Sequence, residues 1–106
     1  MLKTILVIGG LGYLGGRICE SLLRTNKYKV IIGTRNINSD VPKELMGCKL
    51  VSIDLLDINI IKNCLKGIDI IIHLAAMNVN ECDKNPSSAL LVTGLGTLNL
   101  VQSIKH

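Results

Sequence analysis

The chain has 106 residues, enough for one small domain and no more. Apolar residues make up 48% and charged residues 19%, so a disordered chain is excluded. The net charge of +4 comes from scattered Lys and Arg with no basic run and no interleaved aromatics, so nucleic-acid binding is not expected. Mild basicity of this kind suits an anionic nucleotide instead.

The apolar content is Ile, Leu and Val, with no Phe, no Trp and two Tyr. Near-continuous aliphatic runs of this kind suit a parallel sheet buried on both faces. The four cysteines, Cys19, Cys48, Cys64 and Cys82, form no C-x-x-C pair, so no metal site is expected. Cys19 and Cys64 fall in helix-like patterns and read as small buried hydrophobes. No secretory context supports a disulfide framework, and a reduced, cytoplasmic setting is expected. The apolar amino-terminal run is broken by glycines, meets Arg17 and Glu20, and lacks a small-residue cleavage site, unlike a signal peptide. No apolar stretch approaches the roughly 18 residues of a transmembrane helix.

In chain order, residues 3–8 are a short apolar run bounded by glycine, the signature of a buried strand. From Leu11 the period changes. Leu11, Leu14, Ile18 and Leu22 recur at helical spacing, with Arg17, Glu20, Ser21 and Arg24 between them, until Thr25-Asn26-Lys27. Tyr28 to Thr34 reads as a second strand around Val30-Ile31-Ile32. Residues 36–47 read as loop, with one helical turn around Lys43–Met46. Lys49 to Ile53 is a third strand. Asp57 caps a short helix striped by Ile58, Ile61 and Leu65, and Gly67 ends it. Asp69 to Leu74, with Ile70-Ile71-Ile72, is a fourth strand. Residues 75–85 form a polar loop. Asn85-Pro86 opens a last helix to about Lys105, with Leu90, Gly94, Thr97, Val101 and Ile104 along one face. Strands alternating with helical segments imply right-handed parallel crossovers within one domain, residues 1–106.

The chemistry starts where the first strand ends. Gly9, Gly12 and Gly15 are spaced G-x-x-G-x-x-G, with Tyr13 and Leu14 inside the pattern. Glycines there permit a tight turn, a close backbone approach to a pyrophosphate, and close helix–sheet packing. The helix that follows offers unpaired N–H groups and a positive dipole end to phosphates. The spacing alone is a weak signal. Its position between a predicted strand and a predicted helix makes it a dinucleotide site. Arg35 follows the second strand, twenty residues after Gly15, where NAD-binding chains tend to place a carboxylate on the adenosine ribose. The first carboxylate past that strand is Asp40. A forked guanidinium suits a 2′-phosphate, so NADP is favoured, with NAD the alternative. Arg35 as a solvated loop residue, or stacked on adenine, is the competing reading. Asp54, after the third strand, either accepts from the adenine amino group, with Leu55 along the ring edge, or simply caps the next helix. Leu74, Ala75 and Ala76 follow the fourth strand and are small enough at 75 and 76 for backbone to lie against a cofactor. His73 reads as a packed, hydrogen-bonded residue rather than a base. All these candidates fall at carboxyl ends of predicted parallel strands, the edge where open α/β sheets bind ligands.

Taken together, Gly9-Gly10-Leu11-Gly12-Tyr13-Leu14-Gly15, Asp54-Leu55, Asp69-Ile70-Ile71-Ile72-His73-Leu74-Ala75-Ala76, and Asn85-Pro86 leading to Gly96-Thr97-Leu98-Asn99-Leu100 resemble the extended short-chain dehydrogenases/reductases, especially their nucleotide-sugar epimerase/dehydratase branch. The resemblance spans nearly the whole chain in the family's order. It implies a Rossmann-like parallel sheet in strand order 3-2-1-4 flanked by helices, incomplete relative to the full family fold. It also implies hydride transfer with NAD(P) on a nucleotide-sugar substrate. Two local departures are Ile8, where the family often has Thr, and Thr93-Gly94, where it often has Asn-Val.

A larger departure concerns catalysis. Relatives use Ser/Thr, Tyr and Lys, the last two as Y-x-x-x-K. Here the tyrosines are Tyr13 and Tyr28, with Arg17 and Ile32 four residues on. No catalytic residue is assigned, and the chain reads as the amino-terminal part of a longer enzyme. A stand-alone nucleotide-binding module or partner subunit, or a non-functional truncated remnant, are the competing readings. The fourth strand would form an uncharged, β-branched edge, so self-association through it is expected.

Overall fold

The computed structural model describes residues 2–35, 37, 40–74 and 86–104. The predicted loop 75–85, with Ala75, Ala76, Cys82 and Asn85, lies outside the described residues, as does Lys105. Four strands form one parallel sheet: β1 (Lys3–Ile8), β2 (Tyr28–Thr34), β3 (Lys49–Ser52) and β4 (Ile70–His73), in the order β3-β2-β1-β4. The helices are α1 (Tyr13–Arg24), α2 (Ile58–Cys64), α3 (Pro86–Leu90) and α4 (Gly96–Ile104). A 3₁₀ turn, Lys43–Leu45, stands where one helical turn is expected. No described helix is long and apolar enough to cross a membrane.

The strand bounds follow from sequence. Successive side chains of β1 point to opposite faces, and both faces are covered. Ile5 and Val7 join Cys19, Val30, Ile32 and Leu45 on the side of α1. Leu6 and Ile8 join Ile53, Leu55, Ile61 and Leu100 on the side of α2 and α4. A run such as Ile5-Leu6-Val7-Ile8 is uniformly apolar because neither of its faces meets water.

The connections have local causes. Asn26, at φ 56°, takes the left-handed conformation that ends α1. The Asp57 side chain accepts from the N–H groups of Asn59 and Ile60 and so caps α2. Asp69 fixes the start of β4 against β1 at two points. Its N–H donates to the Thr4 carbonyl at 2.9 Å, and its carboxylate accepts from the Thr4 N–H at 2.8 Å.

The last helix departs from expectation. The backbone is α-helical over Pro86–Leu90, widens to a π-helical turn at Leu91–Leu95, and resumes as α4. The face expected to carry Leu90, Gly94, Thr97, Val101 and Ile104 is not the one that packs. Leu90, Val101 and Ile104 are exposed, while Gly96 and Leu100 are buried. A π turn takes more residues per turn than an α turn, so it rotates every later position about the axis. Gly96 then lies close enough to α2's lead-in that a Cβ there would stand 3.0 Å from Leu55 Cβ.

Candidate functional site

The register lines up the carboxyl ends of the strands. Ile8 is level with Gly33 of β2 and with His73 of β4, and Thr34 is level with Ser52 of β3. Ladder bonds continue one residue past the strands. Gly9 N–H donates to the Gly33 carbonyl, Ile53 N–H to that of Thr34, and Leu74 N–H to that of Ile8. Gly9, Arg35, Asp54 and Leu74 therefore stand along one edge of the sheet. The chain runs outward from β1 through β2 to β3, then crosses back to β4 on the other side of β1. The crevice of an open α/β sheet lies at such a reversal, here between β1 and β4.

The glycine turn is built for close approach. Gly9 has φ 90°, where a side chain would be strained. At Gly15 a Cβ would overlap the Gly9 carbonyl oxygen and stand 2.8 Å from Gly10 Cα, so the first turn of α1 packs directly on the turn's backbone. Gly12 is the N-cap and has no side chain to cap with. The first N–H groups of α1, at Tyr13 and Leu14, are thus left for solvent or a ligand. Both of these residues are exposed. The helical spacing in the sequence begins at Leu11, yet Leu11 and Gly12 belong to the turn.

The remaining candidates divide. Arg35 is exposed and makes no ion pair among the described residues. Asp54 is exposed, and its Oδ1 accepts from Leu56 N–H at 2.9 Å, so one carboxylate oxygen is committed to the turn into α2. Leu55 does not line the edge. This Asp54 turn sends its side chain into the core beside Leu100, where it is 7% exposed. Its carbonyl accepts from Asn99 Nδ2 at 2.9 Å, which ties α4 to the turn. Leu74 packs against the cluster on the α1 side. Ala75 and Ala76 are outside the described residues.

Two features go beyond the sequence reading. The Arg17 guanidinium lies 5.8 Å from the centre of the Tyr13 ring, within cation–π range. Both line a cleft with Gly12, Pro42, Glu44 and Leu45, so Arg17 adds positive charge beside the uncapped helix end. The four-residue separation of Tyr13 and Arg17 is the signal for this pair. The second feature joins β4 to α4. Thr97 Oγ1 donates to the Thr93 carbonyl at 2.6 Å, so its one proton is spent. It can only accept from His73 Nε2, 3.0 Å away, which fixes the ring as the Nε2–H tautomer. Nδ1 is then a buried acceptor with no partner among the described residues. Burial holds the His73 pKa below its ordinary 6.5. Nothing in the sequence pairs residues 24 apart in this way.

Comparison with known proteins agrees with this layout. The model of the NAD dependent epimerase/dehydratase family matches residues 5–106. The chain is 33% identical over 112 residues to a UDP-glucose 4-epimerase of Schizosaccharomyces pombe, covering 96% of this chain and 31% of that protein. It is 37% identical over 75 residues to the sterol-4-alpha-carboxylate 3-dehydrogenase (decarboxylating) of Dictyostelium discoideum, covering 71% of this chain and 23% of that protein. Among solved structures, the Thermus thermophilus UDP-glucose 4-epimerase in complex with NAD superposes with a TM-score of 0.79 at 27% identity, over 95% of this chain and 33% of the other. The chain spans about a third, or less, of the length of the curated relatives it matches.

Proposed function

Because the chain belongs to the NAD-dependent epimerase/dehydratase family, we propose that it is the dinucleotide-holding part of an enzyme acting on a nucleotide-sugar. One observation carries this reading: the uncapped start of α1, with the closely packed glycine turn beneath it, shares a sheet edge with exposed Arg35 and Asp54. The N–H groups of Tyr13 and Leu14 receive a pyrophosphate. Gly9, Gly12 and Gly15 let it approach the backbone. Arg35 meets the adenosine ribose, and the free oxygen of Asp54 accepts from the adenine amino group. Leu74, one residue past β4 at the same edge, stands beside the cofactor. When bound, a nicotinamide accepts and returns a hydride, and this chain's residues orient it without touching the proton that moves with it. The nucleotide-sugar class rests on the relatives named UDP-glucose 4-epimerase. The sterol dehydrogenase shows that similar sequences are found in an enzyme of another name.

The finer reading is that Arg35 favours NADP. Calorimetric titration should give tighter binding of NADP than of NAD, and Arg35→Ala should remove a preference of about tenfold, the worth of a charge-assisted hydrogen bond at an exposed site. Equal affinities before and after the substitution would show that Arg35 does not read the 2′-phosphate. Neither tyrosine has a lysine four residues on. The chain alone should therefore bind nucleotide yet leave UDP-glucose unconverted. Turnover by the purified chain would overturn that assignment.

A further inference from the structure

Lysines that are scattered in sequence are gathered by the fold. In a parallel sheet every strand starts at the same edge, and each crossover helix returns the chain to it. Lys3 and Lys49 are the first residues of β1 and β3, and Lys29 is the second residue of β2. Lys3 is level with Tyr28, Lys29 with Thr4, and Lys49 with Ile31, so the three stand near one another on neighbouring strands. Lys27 lies in the turn between α1 and β2, where its N–H donates to Thr25 Oγ1. Arg24 and Lys62 are in the last turns of α1 and α2, and Lys66 follows the end of α2. Every one of these residues is exposed.

Little opposes them. Near this edge Glu20 is paired with Arg24 at 2.6 Å, and Asp69 accepts from Thr4 N–H at 2.8 Å. The lysines make no ion pair among the described residues. The other described carboxylates lie elsewhere in the fold. Asp40 stands in the crossover that leaves the carboxyl end of β2, Asp54 and Asp57 follow the carboxyl end of β3, and Glu44 lines the cleft at the start of α1. Helix dipoles account for cations at Arg24, Lys62 and Lys66, close to helix carboxyl ends. They do not account for Lys3, Lys29 and Lys49, which stand on strands.

We propose that this amino edge of the sheet is a docking surface for a membrane rich in anionic phospholipid, against which the chain lies on its lysines without crossing the bilayer. The residue types select the partner. A lysine ammonium is a hydrated point charge and suits the diffuse field of lipid headgroups, whereas nucleic acid is held better by forked guanidinium groups and stacked aromatic rings. The guanidinium at this edge, Arg24, is tied to Glu20, and the aromatic ring of Tyr28 packs against the core cluster. Leu2, 55% exposed next to Lys3, supplies an apolar side chain for the boundary between headgroups and acyl chains. Gly9, Arg35 and Asp54 lie at the opposite edge, so docking leaves the candidate nucleotide site facing solution.

The test uses the full chain and no nucleotide, so its failure leaves the cofactor reading untouched. The protein is mixed with vesicles of phosphatidylcholine and phosphatidylserine in equal parts, or of phosphatidylcholine alone, and the pelleted fraction is measured against lipid concentration. It should pellet with the anionic vesicles and not with the neutral ones, and molar sodium chloride should release it. Lys29→Glu should weaken the partition about twenty-five-fold, at about fivefold for each unit of charge lost from the surface. Lys43→Glu makes the same change in net charge on the 3₁₀ turn, away from this edge, and should weaken it no more than about twofold. Lys27→Glu, in a turn rather than a strand, repeats the measurement if Lys29→Glu does not fold. Equal losses at the amino edge and at Lys43 would overturn the proposal, as would equal binding to neutral vesicles. So would tighter binding to single-stranded RNA than to the anionic vesicles at the same concentration of phosphate.

Discussion

Gly15 is where one methyl group does most damage. A Cβ there would overlap the Gly9 carbonyl and Gly10 Cα, and both belong to backbone that cannot turn aside as a flexible side chain can. Gly15→Ala should therefore cost about 1–3 kcal/mol in urea unfolding, the range for overpacking, and should weaken nucleotide binding further by shifting the uncapped end of α1. Unchanged stability and affinity would mean that the turn relaxes freely. Residues of this kind are legible in sequence because a backbone constraint leaves a glycine behind. Arg35 and Asp54 are legible for another reason: each is a polar residue just past an aliphatic run. Leu55 is not, because the direction of a turn's side chain is set by the hydrogen bond of Asp54 to Leu56 N–H.

At the scale of elements, the strands are the readable part, since each is built around consecutive aliphatic residues, from the four of Ile5-Leu6-Val7-Ile8 down to the two of Leu50-Val51. The last helix is not. Its apolar residues outnumber the positions that pack, and the π turn decides which of them face inward. The contact that joins β4 to α4, His73 to Thr97, makes a prediction about pH. The folded state holds the ring neutral, with its pKa below 6.5, whereas the unfolded chain protonates at the ordinary value. The neutral ring's contribution is therefore complete above 6.5 and is lost as pH falls below it. The urea midpoint should fall between about pH 7 and about pH 5, and should fall less in His73→Gln. Equal slopes would show that Nδ1 finds an acceptor once protonated.

For the whole molecule, β4 ends the sheet, and no strand among the described residues pairs with its outer edge. Ile70 is 39% exposed there, and Leu91, Leu95 and Leu98 add exposed apolar surface. An uncharged β-branched edge invites strand pairing. Sedimentation velocity should show mass rising with concentration, and Ile70→Lys should suppress the rise; a monomer at every loading would refute this. The opposite end of the same strand has a different consequence. The double hydrogen bond of Asp69 to Thr4 sets the alignment of β4 on β1 at the amino end, across 65 residues of sequence. The candidate site residues Gly9, Arg35 and Asp54 lie at the far, carboxyl end. Alignment and recognition are thus written into different stretches of sequence, so loops at the carboxyl edge can be exchanged, by evolution or by grafting, without resetting how the strands pair.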